Sequence, residues 1–308
     1  MKIIYRSCLL ALLGVATPST FADTPGNAAS QPQSSQQSAR YLRVNSVGDV
    51  FWDSSTNPAA WHVNGGLALW TSDYFRARYG GVPASLERLS YRLSLGTTFE
   101  LVPSAGTGQG PFEAVSLSLG MLNYFTDSPV PNADAWYTGD RYLGLSAAFG
   151  KHWLGGLTYT RYKNPDSPPG VPQDIALSLR YVANGWLGAL QPQVKAVKAV
   201  GSGTGHLFQA SISPSFKPFA KTGLTVGVPL DVGVGVNGYQ GASVDRGYYA
   251  ELGLTLGVPL AWKVPGVWGL SGGIYATWRN QAIVEATQRF DDAGSLVPTG
   301  AVSLTFSY

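Results

Sequence analysis

Leu89-Ser90-Tyr91-Arg92-Leu93-Ser94-Leu95-Gly96-Thr97-Thr98-Phe99-Glu100-Leu101 sets Leu89, Tyr91, Leu93, Leu95, Phe99 and Leu101 against Ser90, Arg92, Ser94, Gly96, Thr98 and Glu100. Side chains of an extended chain point alternately to opposite faces, so a period of two held over thirteen residues predicts a strand with one oily and one wet side. The same alternation runs through Leu224, Val226, Val228, Leu230, Val232, Val234 and Val236, and through Leu252, Leu254, Leu256, Val258, Leu260 and Trp262.

Extending the count outward gives twelve strands, at 61–70, 89–101, 113–125, 141–149, 151–162, 174–183, 188–199, 206–216, 222–236, 248–262, 268–279 and 300–308. A tilted strand needs roughly 9–11 residues to cross a bilayer, and bacterial single-chain barrels use an even number. The expected fold is therefore all-β, a transmembrane antiparallel up-and-down barrel of about twelve strands over residues 61–308. Pro192, Pro214, Pro229 and Pro259 fall inside these strands, where proline has no N–H for the ladder, so bulges are expected there.

Connections separate by length. With Tyr308 placed in the periplasm, 280–299, 237–247, 163–173, 126–140 and 71–88 fall outside and are long, while 263–267, 217–221, 184–187 and the Gly150 junction fall inside and are short; 102–112 and 200–205 break the rule. Aromatic residues sit where the lipid interfaces then lie, with Trp61, Trp153, Tyr181, Trp186, Phe216, Trp262, Trp268 and Tyr308 on the periplasmic side and Phe125, Tyr159 and Trp278 on the outer side.

The final segment, Val302-Ser303-Leu304-Thr305-Phe306-Ser307-Tyr308, resembles the C-terminal signal of Gram-negative outer-membrane barrels, with Val302, Leu304, Phe306 and Tyr308 at the matching positions. That resemblance implies recognition by the barrel assembly machinery and residence in outer-membrane lipid. Ser72-Asp73-Tyr74-Phe75-Arg76, followed by Pro83, resembles the first outer loop of exported proteins grouped as TorF-type porins, with Ala77 where those have glycine.

At the N-terminus, Lys2 and Arg6 precede an apolar run from Cys8 to Ala16 and a Thr20-Phe21-Ala22 cleavage context, so residues 1–22 read as a secretory signal removed near Ala22. Residues 23–60 are expected to be a flexible periplasmic arm; within them, 41–60 read equally as a short strand, a stub tucked into the barrel, or linker. Cys8 is the only cysteine, so the mature chain forms no disulfide and offers no cysteine metal site.

Charged residues are 13% of the chain against a usual quarter, and losing Lys2 and Arg6 takes the formal charge from +3 to +1, which leaves no footprint for nucleic acid. The polar faces place Arg92, Glu100, Arg180, Lys195, Gln209, Asp231, Glu251 and Arg279 as lumen-lining candidates of mixed sign, so strong ion selectivity is not expected. Inward glycines, among them Gly227, Gly233, Gly235, Gly253, Gly257, Gly269 and Gly273, either leave space or relieve crowding at a bend.

His62, His152 and His206 lack a serine two positions on, so the His-x-Ser pair of membrane-embedded acyl hydrolases is missing, and all three read as interface or loop residues. Asp291-Asp292 reads as a solvated loop pair and Gly201-Ser202-Gly203-Thr204-Gly205 as a loop with no helix to make a phosphate cradle. No catalytic group, metal or cofactor is expected. The chain reads first as a porin-like channel passing small solutes, second as a closed barrel whose outer loops hold a partner, and last as a membrane-embedded hydrolase.

Overall fold

The computed structural model describes residues 39–71, 89–103, 111–126, 136–163, 172–201, 203, 205–219, 221–241, 243–287 and 294–308. The signal segment, residues 23–38, the Ser72–Arg76 stretch with Pro83, and Asp291-Asp292 lie outside them.

Two strands, β1 (Ala39–Val44) and β2 (Val50–Ser55), form a separate hairpin. The ring that follows is β3 (Trp61–Trp70), β4 (Ser90–Val102), β5 (Phe112–Thr126), β6 (Trp136–Phe149), β7 (Trp153–Lys163), β8 (Pro172–Tyr181), β9 (Gln193–Gly201), β10 (His206–Ile212) with β11 (Ser215–Phe219), β12 (Leu224–Gly227) with β13 (Leu230–Val236), β14 (Arg246–Leu260), β15 (Val267–Arg279) and β16 (Leu296–Ser307). Successive strands pair antiparallel, except that β10 pairs with β13, β11 with β12, and both β12 and β13 with β14; β16 pairs back onto β3 from Ala301↔Trp70 to Ser307↔Asn64. Counting β10 with β11 and β12 with β13 as single staves, the sheet is a closed barrel of twelve strands.

Alternation has the physical sense expected of it. Leu93, Leu95, Leu143, Leu157, Leu177, Leu252, Leu254 and Ile274 stand exposed on the outside, whereas Ser116, Ser118, Thr158, Ser178 and Thr255 are buried toward the axis. An oily exterior around a polar interior inverts the plan of a water-soluble protein and matches a wall standing in lipid. Among the described residues no helix is long and apolar enough to cross a membrane; the helices α1 (Trp186–Leu190) and α2 (Gln281–Thr287) are short.

The prolines resolve locally. Pro214 and Pro229 lie in the gaps between β10 and β11 and between β12 and β13, and the gaps face one another because Ile212 pairs with Leu230 and Ser215 with Gly227. The missing ladder bonds are replaced across the break: the amide of Val228 donates to the carbonyl of Pro214 at 2.9 Å, and that of Gly253 to Pro229 at 2.9 Å. Pro192 precedes β9 rather than lying in it, because 186–190 is helical where a strand from 188 was expected. Pro259 stays in β14, opposite Gly269, at the end of the strand.

The expectation of a flexible arm up to residue 60 is corrected for 39–60. The hairpin is packed inside the ring: Tyr41, Leu42, Val44, Val50 and Phe51 have no measurable exposure. Four consecutive buried residues, Tyr41 to Val44, mean that both faces of β1 are covered. Only the stub reading of 41–60 agrees with this.

Candidate functional site in the lumen

The hairpin enters at the end of the barrel that carries Trp61 and Tyr308, here the near end. There the Tyr41 hydroxyl shares a hydrogen bond with Ser307 Oγ at 2.8 Å, and its ring stacks on His62 with centroids 4.0 Å apart. Burial, reinforced by the Asp53 carboxylate, pushes the Tyr41 phenol up, so it stays a neutral hydrogen-bonding group. Arg43 Nε donates to Asp53 at 2.7 Å while its guanidinium lies 4.3 Å over the Phe51 ring, which ties β1 to β2.

Leu42, Val44 and Val50 form one apolar cluster with Ala114, Ala148 and Leu154, which stand at the near ends of β5, β6 and β7. Two inward glycines make the room. A Cβ on Gly144 would stand 2.2 Å from Val44 Cγ2, and one on Gly156 would stand 2.9 Å from Val44 Cγ1 and 3.1 Å from Val50 Cβ. Wall and hairpin therefore meet backbone to side chain, as close as two elements of a core.

The hairpin tip is held by polar contacts. Asn45 Oδ1 accepts from the amides of Val47 and Asp49, and Gly48 takes φ +82, a conformation open to glycine, with its α-carbon turned toward Ala176. Asp49 Oδ1 accepts from Lys195 Nζ at 2.7 Å and from Gln193 Nε2 at 2.9 Å, and Thr160 Oγ1 donates to the Ser46 carbonyl at 2.7 Å. Both partners of the Asp49–Lys195 pair are buried.

Beyond the tip lies a cavity of about 40 Å³ bounded by Ser46, Thr160, Asp174, Lys195, Gln209 and Gln240. Its roof is folded in from the far end: Tyr239 donates to Asp174 Oδ2 at 2.9 Å, and Ile283 of α2 packs on Tyr249. The lumen is thus occupied from both ends, by the hairpin below and by turns above.

All eight lumen candidates named from the sequence point inward. Lys195 and Gln209 meet at the cavity, and Gln209 and Tyr249 both donate to Asp231. Arg92 lies elsewhere, 3.7 Å over the Trp70 ring and 5.2 Å from Tyr124. Glu100 pairs with His62 Nε2 at 2.8 Å, Glu251 accepts from Thr277 at 2.8 Å, and Arg279 Nε donates to the Gly294 carbonyl at 2.8 Å. Arg180 is inward and 2% exposed, the cross-strand partner of Leu154 in the hairpin's apolar cluster.

His62 corrects its reading as an interface or loop residue, because it is wholly buried in the lumen under Tyr41. His152 and His206 do sit at strand starts beside aromatics, against Tyr181 and Phe208. The glycines at 233, 235 and 253 do not leave space: Tyr249, Gln240 and Tyr275 fill the sites where their Cβ atoms would be. Outside, Trp61, Trp153, Trp186, Trp262 and Trp278 are exposed, Trp268 is half-buried against Trp262 and Phe306, and Val302, Leu304, Phe306 and Tyr308 share the outward face of the last strand. Among the described residues no His/Cys/Asp/Glu cluster could hold a metal.

Sequence reasoning passed over Asp49, Asp140, Asp174, Tyr124, Tyr162 and Tyr239. The alternation of β5 and β8 put Tyr124 and Asp174 on the inward face, so a fuller reading of those strands had the signal; Asp49 had none, because no period links the hairpin to the wall.

No protein-family model and no curated protein matches the chain. Among solved structures, the KdgM porin is similar over 80% of this chain and 99% of its own, with a TM-score of 0.40 and 10% identity. The translocator domain of the autotransporter NalP from Neisseria meningitidis is similar over 82% and 89%, with a TM-score of 0.38 and 10% identity. OprD from Pseudomonas aeruginosa is similar over 81% and 94%, with a TM-score of 0.30 and 10% identity.

Proposed function

We propose that this chain is an outer-membrane barrel that works as a narrow porin-like channel for small polar solutes, with its own N-terminal hairpin as the plug. The observation that carries the reading is how the tip of the hairpin is held: a buried Asp49–Lys195 ion pair and two hydrogen bonds, groups that water replaces readily when the hairpin moves. A permanently filled core would use apolar contacts there, as the same hairpin does lower down. In this reading the near end faces the periplasm and the far end the outside.

The lining suits uncharged or zwitterionic solutes. Arg92, Lys195 and Arg279 are offset by Asp140, Asp174, Asp231 and Glu251 along the same wall, so neither sign of ion meets a uniform field. The assembly signal at Val302, Leu304, Phe306 and Tyr308 and the aromatic belt belong to the same proposal, since both serve insertion into lipid.

A second reading, a closed barrel whose outer loops engage a partner, draws on the apolar cluster of Leu42, Val44 and Val50 against Ala114, Ala148 and Leu154. Liposome swelling separates the two. Vesicles carrying the full chain should swell slowly in small sugars and amino acids, and vesicles carrying D49N should swell faster. Removing one charge of a buried pair costs about 3–5 kcal/mol and leaves Lys195 unmatched until the hairpin withdraws. Equal, background swelling for both proteins would favour the closed barrel.

A further inference from the structure

On the outside of β6, β7 and β8, near the far end, two arginines face each other. Arg141 and Arg161 are direct cross-strand partners, and Gln173 follows as the partner of Arg161. Both arginines are exposed and outward, alternating with the inward Asp140 and Thr160. Like charges directly opposite one another destabilise a sheet. Among the described residues of β6 to β9 the carboxylates are Asp140 and Asp174, and both point into the lumen, 1% and 3% exposed, where tyrosine hydroxyls hold them. The outward pair is thus left with its charge uncompensated by those strands.

One residue row below stands an apolar shelf. Leu143 and Ile175 are the cross-strand partners of Tyr159 on either side, each of the three well exposed. From Trp153 in the near-end belt to Arg161 is eight residues of one strand. At ~3.3 Å per residue and the ~40° tilt of a barrel strand, that is about 20 Å, close to the ~25 Å height of an apolar band. Arg141 and Arg161 therefore stand at the upper lipid–water boundary, with hydrocarbon below them.

We propose that this row is a binding site for the phosphate of a lipid headgroup, with Arg141 and Arg161 as the paired donors, Gln173 as a third, and the acyl chains lying on Leu143, Tyr159 and Ile175. A guanidinium matches a phosphate bidentately, and two of them facing each other are relieved of repulsion when an anion sits between. The shelf selects a phosphate tethered to hydrocarbon over a free one. The inference rests on the outer-membrane reading but not on the lumen being open.

Native mass spectrometry of the detergent-purified full chain tests it, with diphosphoryl lipid A, its enzymatically dephosphorylated form and sodium phosphate as probes. The diphosphorylated lipid should survive delipidation on the wild type and be retained about tenfold less on R141Q/R161Q, with R141K/R161K between them. If the double variant fails to show the heat-modifiable migration of a folded barrel, R161Q alone serves. Equal retention by wild type and the glutamine variant, equal retention of the dephosphorylated lipid, or displacement by millimolar inorganic phosphate would each overturn the site. Swelling activity measured on the same preparations keeps the outcomes apart: a barrel that passes solutes without holding lipid refutes only this site, and one that holds lipid without passing solutes refutes only the channel.

Discussion

Gly144 decides where the hairpin can lie. Its missing side chain is the space that Val44 fills, so G144V would force the two apart by more than side-chain rotation can absorb. The expected outcome is a folded barrel whose hairpin is displaced, seen as protease cleavage between residues 39 and 55 that the wild type resists. Tyr41 supplies a pH dependence. Its phenol is pushed up from the ordinary 10.0 when seated, so the seated state is favoured in full below pH ~10 and loses ground as pH rises above it, because only the released phenol ionises easily. Swelling rates should therefore climb above pH ~10 in the wild type and stay level in Y41F. These contacts were only partly legible in the sequence. The inward glycines were visible, but a glycine that leaves a void and one that admits another element look the same until the other element is placed.

The strands were legible because lipid and lumen impose opposite demands on alternate residues, and that alternation survives in nearly every stave. The ends were less so. Gly185 takes φ +100 and 186–190 turns helical, a choice made by tertiary position that no period records. The hairpin was hidden for a related reason: strands buried on both faces lose their alternation, so Tyr41 to Val44 and Val50 to Phe51 read as well for linker as for structure. The ring closes through β16 and β3 without using the hairpin. Deleting 39–55 should accordingly leave the heat-modifiable gel shift and the far-ultraviolet β signal intact; loss of the shift would mean that the hairpin is part of the barrel's folding core.

Across the described residues, one closed sheet separates an apolar exterior from a lumen packed with polar side chains, and residues 39–55 occupy that lumen, the outcome only one of the three sequence readings of 41–60 allowed. In the proposed channel, conductance would be set by how far the segment obstructs the passage, more than by the residues of the wall. The most direct test compares single-molecule currents in planar bilayers for the full chain and for the chain lacking 39–55. The expected result is rare, small openings in the full chain and steady, larger ones after deletion. Indistinguishable currents from the two proteins, or silence from both, would contradict a channel plugged by its own hairpin.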